Sequence, residues 1–452
     1  MKETKKSKTK LYLEQEGITL IALVVTIVVL LILAGVTLNA LFNENGILTK
    51  SRNAGNIMED AKKSDLDAIN DLDKWIDEKT GNGGSKDPDK KLKITDPELK
   101  AKDRIEAGSK TVTAVDDNEN QIVVPGGFKV ADDSGDTVQE GVVIEDKDGN
   151  QFVWVPVSNT NNDGSNKIIR DDGTEVEITL GRYTFATTTP GTPTLVQKGS
   201  ECANVTAANV ADGTVNSNYA IRSEGGYSYE LSDKNRISNE KDDTTATNTT
   251  AKDLDAFITK ANKGFYIARY EASYGSGYNA DGTTTTEKYG NAKPLSKVST
   301  ACSTSSMDHT PGTLWNFINQ PQAAMVSKNM YSGNSYVESD LINSYAWDTT
   351  IVYIQAMGNT NYANASCDTN GNAGVLKNTG KTGDKVCNIF DMAGNTIEWT
   401  TEYSRHLSKT CFPGINRGGG MAGAACFASY RLDARAVYSN QNDSFRPILY
   451  VK

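Results

Sequence analysis

The sequence predicts an α+β chain: one long N-terminal helix, then a loop-rich head of short strands beside two or three helices. Three observations carry that prediction. Ile18–Val36 is apolar except for Thr19 and Thr26, and no charge falls between Glu16 and Glu44. Beyond residue 120, short β-branched and aromatic runs recur between turn residues, which is how strands read. Two later stretches, 313–331 and 339–357, space their apolar residues as helices do.

The N-terminal run comes first. As a helix rising ~1.5 Å per residue it spans roughly 30 Å, the thickness of a bilayer's hydrocarbon core. Lys2, Lys5, Lys6, Lys8 and Lys10 stand in front of it, a cytosolic anchor by the positive-inside rule. A cleaved secretory signal is disfavoured, because the apolar region is long and no small-x-small site follows. After Asn43–Gly46, helical character resumes from about Leu48 to Lys79, with Ile57, Ala61, Leu66, Ile69, Leu72 and Ile76 near one stripe. The glycine-rich stretch 80–88 reads as a linker.

The basic leader ends in Glu14-Gln15-Glu16-Gly17, and Ile18-Thr19-Leu20-Ile21 opens the apolar helix. This resembles the type IV prepilin signature. The resemblance implies a prepilin peptidase cutting between Gly17 and Ile18, and an apolar helix retained as membrane anchor among other pilin-like subunits. Most such pilins carry glutamate at the fifth mature position; here it is Ala22, which suits a minor or tip subunit. A plain signal anchor is the alternative. The expected layout is a leader at 1–17, a transmembrane and stalk helix at 18–80, a connecting segment at 81–120 and a head at 121–452. That places a single-pass anchor in the cytoplasmic membrane and the head on the cell surface or a pilus.

Composition narrows the chemistry. A formal charge of -10 argues against nucleic acid, which rewards basic faces. Only two histidines, His309 and His406, are present, so histidine-built metal sites and triads have little to draw on. Six cysteines permit up to three disulfides in an exported chain, with no pairing readable; buried thiols are the alternative.

In the head, Gln121–Pro125, Phe128–Val130 and Gly141–Ile144 read as strands. Asp146–Asn150 reads as a hairpin turn into a strand at Gln151–Val157. Residues 158–260, rich in Asn, Thr, Asp and Gly, read as a surface insertion. A strand follows at Lys263–Ser273. The stretch 313–331 reads as a helix broken at Pro321, and 339–357 as a second helix.

The most specific stretch of the head is Asn388–Thr400. It clusters carboxylates and amides in a short turn, which suits either a hard cation or a capped turn with Trp399 in the core. Its pattern, Asp391-Met392-x-Gly394-Asn395-x-x-Glu398-Trp399, resembles the formylglycine-generating-enzyme (sulfatase-modifying factor) family, a variant of the C-type lectin fold. Phe152–Pro156, Phe265–Ala272, Arg417–Gly420, Arg431, Arg435 and Ser444–Pro447 look like further elements of that family. The resemblance implies structural calcium (Ca2+) held by Glu398, with backbone oxygens near Gly394 and Thr396. The oxidase branch of the family needs cysteines where this chain has Leu432 and Phe427, so a copper-bound thiolate pair is not available. An enzyme that modifies a sulfatase is therefore the disfavoured alternative.

The reading left is a binding protein, an adhesin with an unknown protein or glycan ligand. The segment between Gly420 and Phe445 supplies the candidate contacts: Met421, Phe427, Ser429, Tyr430, Leu432, Asp433, Tyr438, Asn440 and Asn442. It resembles the variable region of proteins diversified by retroelements, which often use this lectin fold.

Overall fold

The computed structural model describes residues 110–158, 167–206, 217–232, 253–367, 374–406, 414–421 and 426–452, with Val210 and the strand Lys93–Ile94. All of them fall within one unit, Asp89–Lys452. The processing site Gly17–Ile18 and the anchor and stalk expected at 18–80 lie outside the described residues. Among the described residues no helix is long and apolar enough to cross a membrane.

The architecture is mostly β. Its main elements are β1 (Phe128–Val130), β2 (Val143–Asp146), β3 (Gln151–Pro156), β4 (Gly226–Tyr229), β5 (Gly264–Ala268), α1 (Gln320–Asn329), β6 (Val337–Leu341), α2 (Ser344–Ala356), β7 (Ile397–His406), β8 (Gly414–Arg417), β9 (Arg431–Ala434), β10 (Asp443–Phe445) and β11 (Pro447–Val451). One antiparallel sheet runs β6-β11-β5-β3-β2-β1. The second runs Ile221–Arg222, β4, β7, β8, β9, and β10 joins it parallel to β7.

The apolar run Phe152-Val153-Trp154-Val155 is buried throughout, as a strand covered on both faces is, and β3 pairs laterally with β5 and β2. Trp154 stands opposite Tyr266 with ring centroids 5.0 Å apart. The turn into β3 is closed by Asp146, whose Oδ1 accepts the N–H groups of Asp148 (2.9 Å) and Asn150 (2.8 Å). The same device recurs at Asp116, whose Oδ1 accepts from Asn118 (2.9 Å) and Asn120 (2.8 Å). In each turn the fourth residue takes positive φ, Glu119 at 67° and Gly149 at 79°. Asp-x-x-x-Asn is thus a repeated hairpin closure, an Asx-type turn. The Asp116 hairpin joins Val112–Val115 to Gln121–Val124, so part of the segment expected to be a connector is paired β-structure.

Both helix expectations change at their starts. The first begins at Gln320, where the Asn319 side chain accepts from Gln322 N–H at 3.1 Å. Pro321 therefore sits in the first turn, where a missing N–H costs nothing, and it does not break the helix. The second begins at Ser344, capped by Asn343, whose Oδ1 accepts from Ala346 N–H at 2.9 Å. The residues before it form β6. Ser344 to Gln355 are all buried, so α2 shows no polar stripe to mark its limits.

The insertion at 158–260 also needs correction. Its strand Gly181–Phe185 lies against α2, with Tyr183 N–H donating to Asp348 Oδ2 at 2.8 Å. β4 pairs with β7. Buried Glu230 accepts from Ser344 N–H at 2.9 Å and from Thr401 Oγ1 at 2.7 Å, placing a carboxylate at the N-terminus of α2. These parts of the insertion are framework, and their few apolar residues reflect interior contacts that are polar.

Candidate ligand pocket at the C-terminal face

Strands β7, β8, β9 and β10 meet at one end of the second sheet. Register sets Asn416 opposite Leu432, and Ile397 opposite Asp443. After β8 the chain passes tightly over the turn before β7. A Cβ on Gly419 would lie 2.2 Å from the Ala393 carbonyl oxygen, so only glycine fits there.

A cavity of about 420 Å³ opens at this end, with Ile397, Asn416 and Asp443 among its walls. Five of the nine sequence-predicted contacts line it: Leu432, Asp433, Tyr438, Asn440 and Asn442. Tyr438 is 51% exposed, one of the few large apolar side chains open to solvent among the described residues. The other four, Met421, Phe427, Ser429 and Tyr430, are half-buried and do not line it. Met421 N–H donates to Asn395 O (2.9 Å) and Ser429 N–H to Ala363 O (3.1 Å). Phe427 bridges Ser366, and the Tyr430 hydroxyl bonds Glu224. Sequence reasoning missed Ile397 and Asn416, which come from strands ahead of the segment. Asn416 carried no sequence signal, and Ile397 lay inside the turn motif.

The cavity is rich in acceptors. Asn416 Nδ2 donates to Asp443 Oδ1 at 3.0 Å, and Asn440 N–H donates to Asp443 Oδ2 at 2.9 Å. A carboxylate acceptor fixes the Asn416 amide with its oxygen turned away. That oxygen is buried, on a residue only 1% exposed, with no partner among the described residues, and Asn442 Oδ1 is in the same position. Burial pushes the Asp443 carboxyl up to about 7, against the pull of the Asn440 and Asn416 hydrogen bonds. Buried acceptors without donors are costly, and a ligand bearing hydroxyl, amide or ammonium donors would satisfy them. Ile397, Leu432 and Ala434 add an apolar side to the same cavity.

Behind this end lies a buried ion cluster. Arg417 pairs with Asp348 (2.6 Å) and Glu402 (2.9 Å), while Arg431 reaches Glu402 (3.0 Å) and also Asp348. Arg182, from the insertion, reaches Glu402 at 3.1 Å. Burial works to raise the Glu402 carboxyl, but Arg431, Arg417 and Arg182 outweigh it and hold it well below the usual range. The cluster ties α2, three elements of the second sheet and the insertion to one another.

Of the residues expected to hold calcium, Glu398 has its side chain engaged by an arginine. Arg446 binds both carboxylate oxygens of buried Glu398, Nε to Oε2 at 2.7 Å and Nη2 to Oε1 at 2.5 Å. Thr396 donates its N–H to Glu271 at 2.9 Å and its hydroxyl to the same carboxylate. Gly394 is buried within the same turn, whose Asn395 carbonyl accepts from Met421 N–H at 2.9 Å. Calcium asks for ~6–8 free oxygens; here a guanidinium supplies the positive charge instead. Among the described residues no group of three His, Cys, Asp or Glu side chains is placed to hold a metal. Glu398 is the ion-pair partner of Arg446 in this structure.

No family model matches the chain, and no curated protein matches it. Among solved structures, CarF aligns over 42% of this chain and 87% of its own at 13% identity, with a TM-score of 0.29. PvdO from Pseudomonas aeruginosa aligns over 42% and 81% at 11% identity, with a TM-score of 0.27. Treponema denticola variable protein 1 aligns over 42% and 96% at 13% identity, with a TM-score of 0.24. At such scores these likenesses carry no function across.

Proposed function

We propose that the chain is a pilin-like, membrane-anchored surface protein whose lectin-like head binds a protein or glycan ligand in the cavity at the end of the second sheet. The observation that carries this reading is the cavity itself. Its buried Asn416 and Asn442 oxygens lack donors among the described residues, apolar Ile397 and Leu432 lie beside them, and Tyr438 stands exposed at the same cavity. Exposed aromatics beside a desolvated pocket are common binding anchors. Binding rather than catalysis is favoured because Leu432 and Phe427 stand where the oxidase branch of the resembled family needs thiols. The anchor half of the reading rests on the motif around Gly17 and the apolar run after it.

Two measurements test the two halves. The full chain in detergent is applied to glycan and surface-protein arrays, with Tyr438→Ala beside it. Binding that weakens about tenfold in the variant, at unchanged melting temperature, supports the pocket; no binding by the parent on either array overturns it. For the anchor, the N-terminus of surface-displayed protein is read by mass spectrometry. A start at Ile18 supports prepilin processing, and an intact Met1 start refutes it.

A further inference from the structure

The chain has six cysteines. Five are described, and none is bonded to another of them. Two nevertheless face each other. Ser366 and Phe427 form an isolated antiparallel bridge. It is flanked in register by Ala428 N–H donating to Ala365 O at 2.9 Å. In an antiparallel pair, the residue after one partner stands opposite the residue before the other. Cys367 therefore stands opposite Cys426. The two thiols sit close enough for the Cys367 charge to act on Cys426. Directly opposed residues of such a pair sit ~4.5–5.5 Å apart, inside the ~4.4–6.8 Å that a disulfide spans between Cα atoms. The remaining described thiols have other neighbours: Cys202 lies by Asp255, Cys302 by the Leu376 carbonyl, and Cys387 by Tyr353.

The position has consequences for the site. Cys426 lines the cavity, whereas Cys367 is wholly buried behind it. A bond between them would tie the start of the pocket-forming segment to the chain that follows α2.

We propose that Cys367 and Cys426 are oxidised to a disulfide that staples the cavity wall to the head's interior. The oxidant is a disulfide, protein or small-molecule, met after export. The Cys426 thiolate, the more exposed of the two, attacks one sulfur of that disulfide and expels the other as a thiolate. The Cys367 thiolate then attacks the Cys426 sulfur of the mixed disulfide and releases the second thiolate. Two electrons and two protons pass to the oxidant, which leaves as a dithiol or two thiols. The linkage closes a long loop, so it restrains the unfolded chain as well as the native wall. The geometry stands whether or not the export reading holds, because the reaction is run in vitro.

The test uses the full chain in detergent, equilibrated with oxidised and reduced glutathione. Thiols are then blocked with N-ethylmaleimide, and the protein is digested without reduction. A cross-linked peptide pair containing Cys367 and Cys426, two hydrogens lighter than its parts and lost on reduction, is the expected result. The free-thiol count should fall by two. Cys426→Ser should abolish both changes and the rise in melting temperature that oxidation gives the parent. Alkylation of both residues at oxidising poise overturns the proposal, as does linkage of Cys426 to Cys411 or to any other thiol.

Discussion

Glu402→Gln is the perturbation with the largest expected effect. The side chain is wholly buried and faces three guanidinium groups, those of Arg182, Arg417 and Arg431. Asp348 is the second carboxylate of the cluster, pairing with Arg417 and Arg431. Three cations against two anions leave one net positive charge; the substitution leaves two. Charge centres ~4 Å apart interact by about 4 kcal/mol at an effective dielectric of 20. Three such attractions vanish, and release from desolvating the carboxylate offsets much of that gross loss. Removing one partner from a buried pair costs a net ~3–5 kcal/mol in comparable cases. The glutamine amide also turns a donor toward arginine donors, which adds an unsatisfied group. Against a total stability of about 5–15 kcal/mol, that is a large fraction. At ~2–4 °C per kcal/mol for a large domain, thermal unfolding followed by circular dichroism should shift down by about 6 °C or more. Glu175→Gln, at the exposed Lys167 pair, should leave the midpoint unmoved. A Glu402→Gln midpoint within about 2 °C of the parent would refute the claim that the cluster holds the frame.

Other outcomes follow from single contacts. Asp384 and Asp443 are both raised by burial to about 7 from 3.8. Their folded pKa exceeds the unfolded one, so the stability they contribute is full below about 4 and is lost as pH rises toward about 7. Denaturant midpoints should fall across that window, and Asp443→Asn should flatten part of the fall. Glu402 has the opposite sign: its contribution is present above the ordinary carboxylate range and is lost only far below it. Glu398→Gln should lower the melting temperature equally with calcium or with chelator, because its partner is Arg446; a calcium-dependent shift in the parent would restore the metal reading. Gly419→Ala should destabilise by more than about 1 kcal/mol, read by denaturant midpoint, since its Cβ meets the Ala393 carbonyl.

What the sequence discloses is what local chemistry decides. The strand around Trp154 and the turn at Asp146–Asn150 are legible because apolar runs and Asx turns are local signals. Helix starts are misplaced where one asparagine, Asn319 or Asn343, decides the boundary. The insertion misleads because its buried members, Arg182 and Glu230, find partners in Glu402, Ser344 and Thr401, far along the chain. The pairing of Glu398 with Arg446 is equally non-local. Half of the cavity is legible, from Leu432 to Asn442, because that segment is bracketed by two recognisable anchors. Ile397 and Asn416 are not, because they reach the cavity through strand pairing that no local pattern encodes.

Strand alternation explains how one end of a sheet serves both frame and pocket. Arg417 stands opposite Arg431, and both reach the ion cluster; one residue away, Asn416 stands opposite Leu432, and both line the cavity. On β7, Glu398 and Glu402 pair with buried arginines, while Ile397, of opposite parity, faces the cavity with Asp443. A slip of one residue would drive arginines into the cavity and Leu432 among the charges, so the ion pairs pin the register. A change at Leu432 alters the wall and leaves Asp348 and Glu402 satisfied. A change at Arg431 takes one cation from each of the two carboxylates, leaving Asp348 to Arg417 and Glu402 to Arg417 and Arg182. The charged face therefore holds the register, while the opposite face shapes the cavity wall.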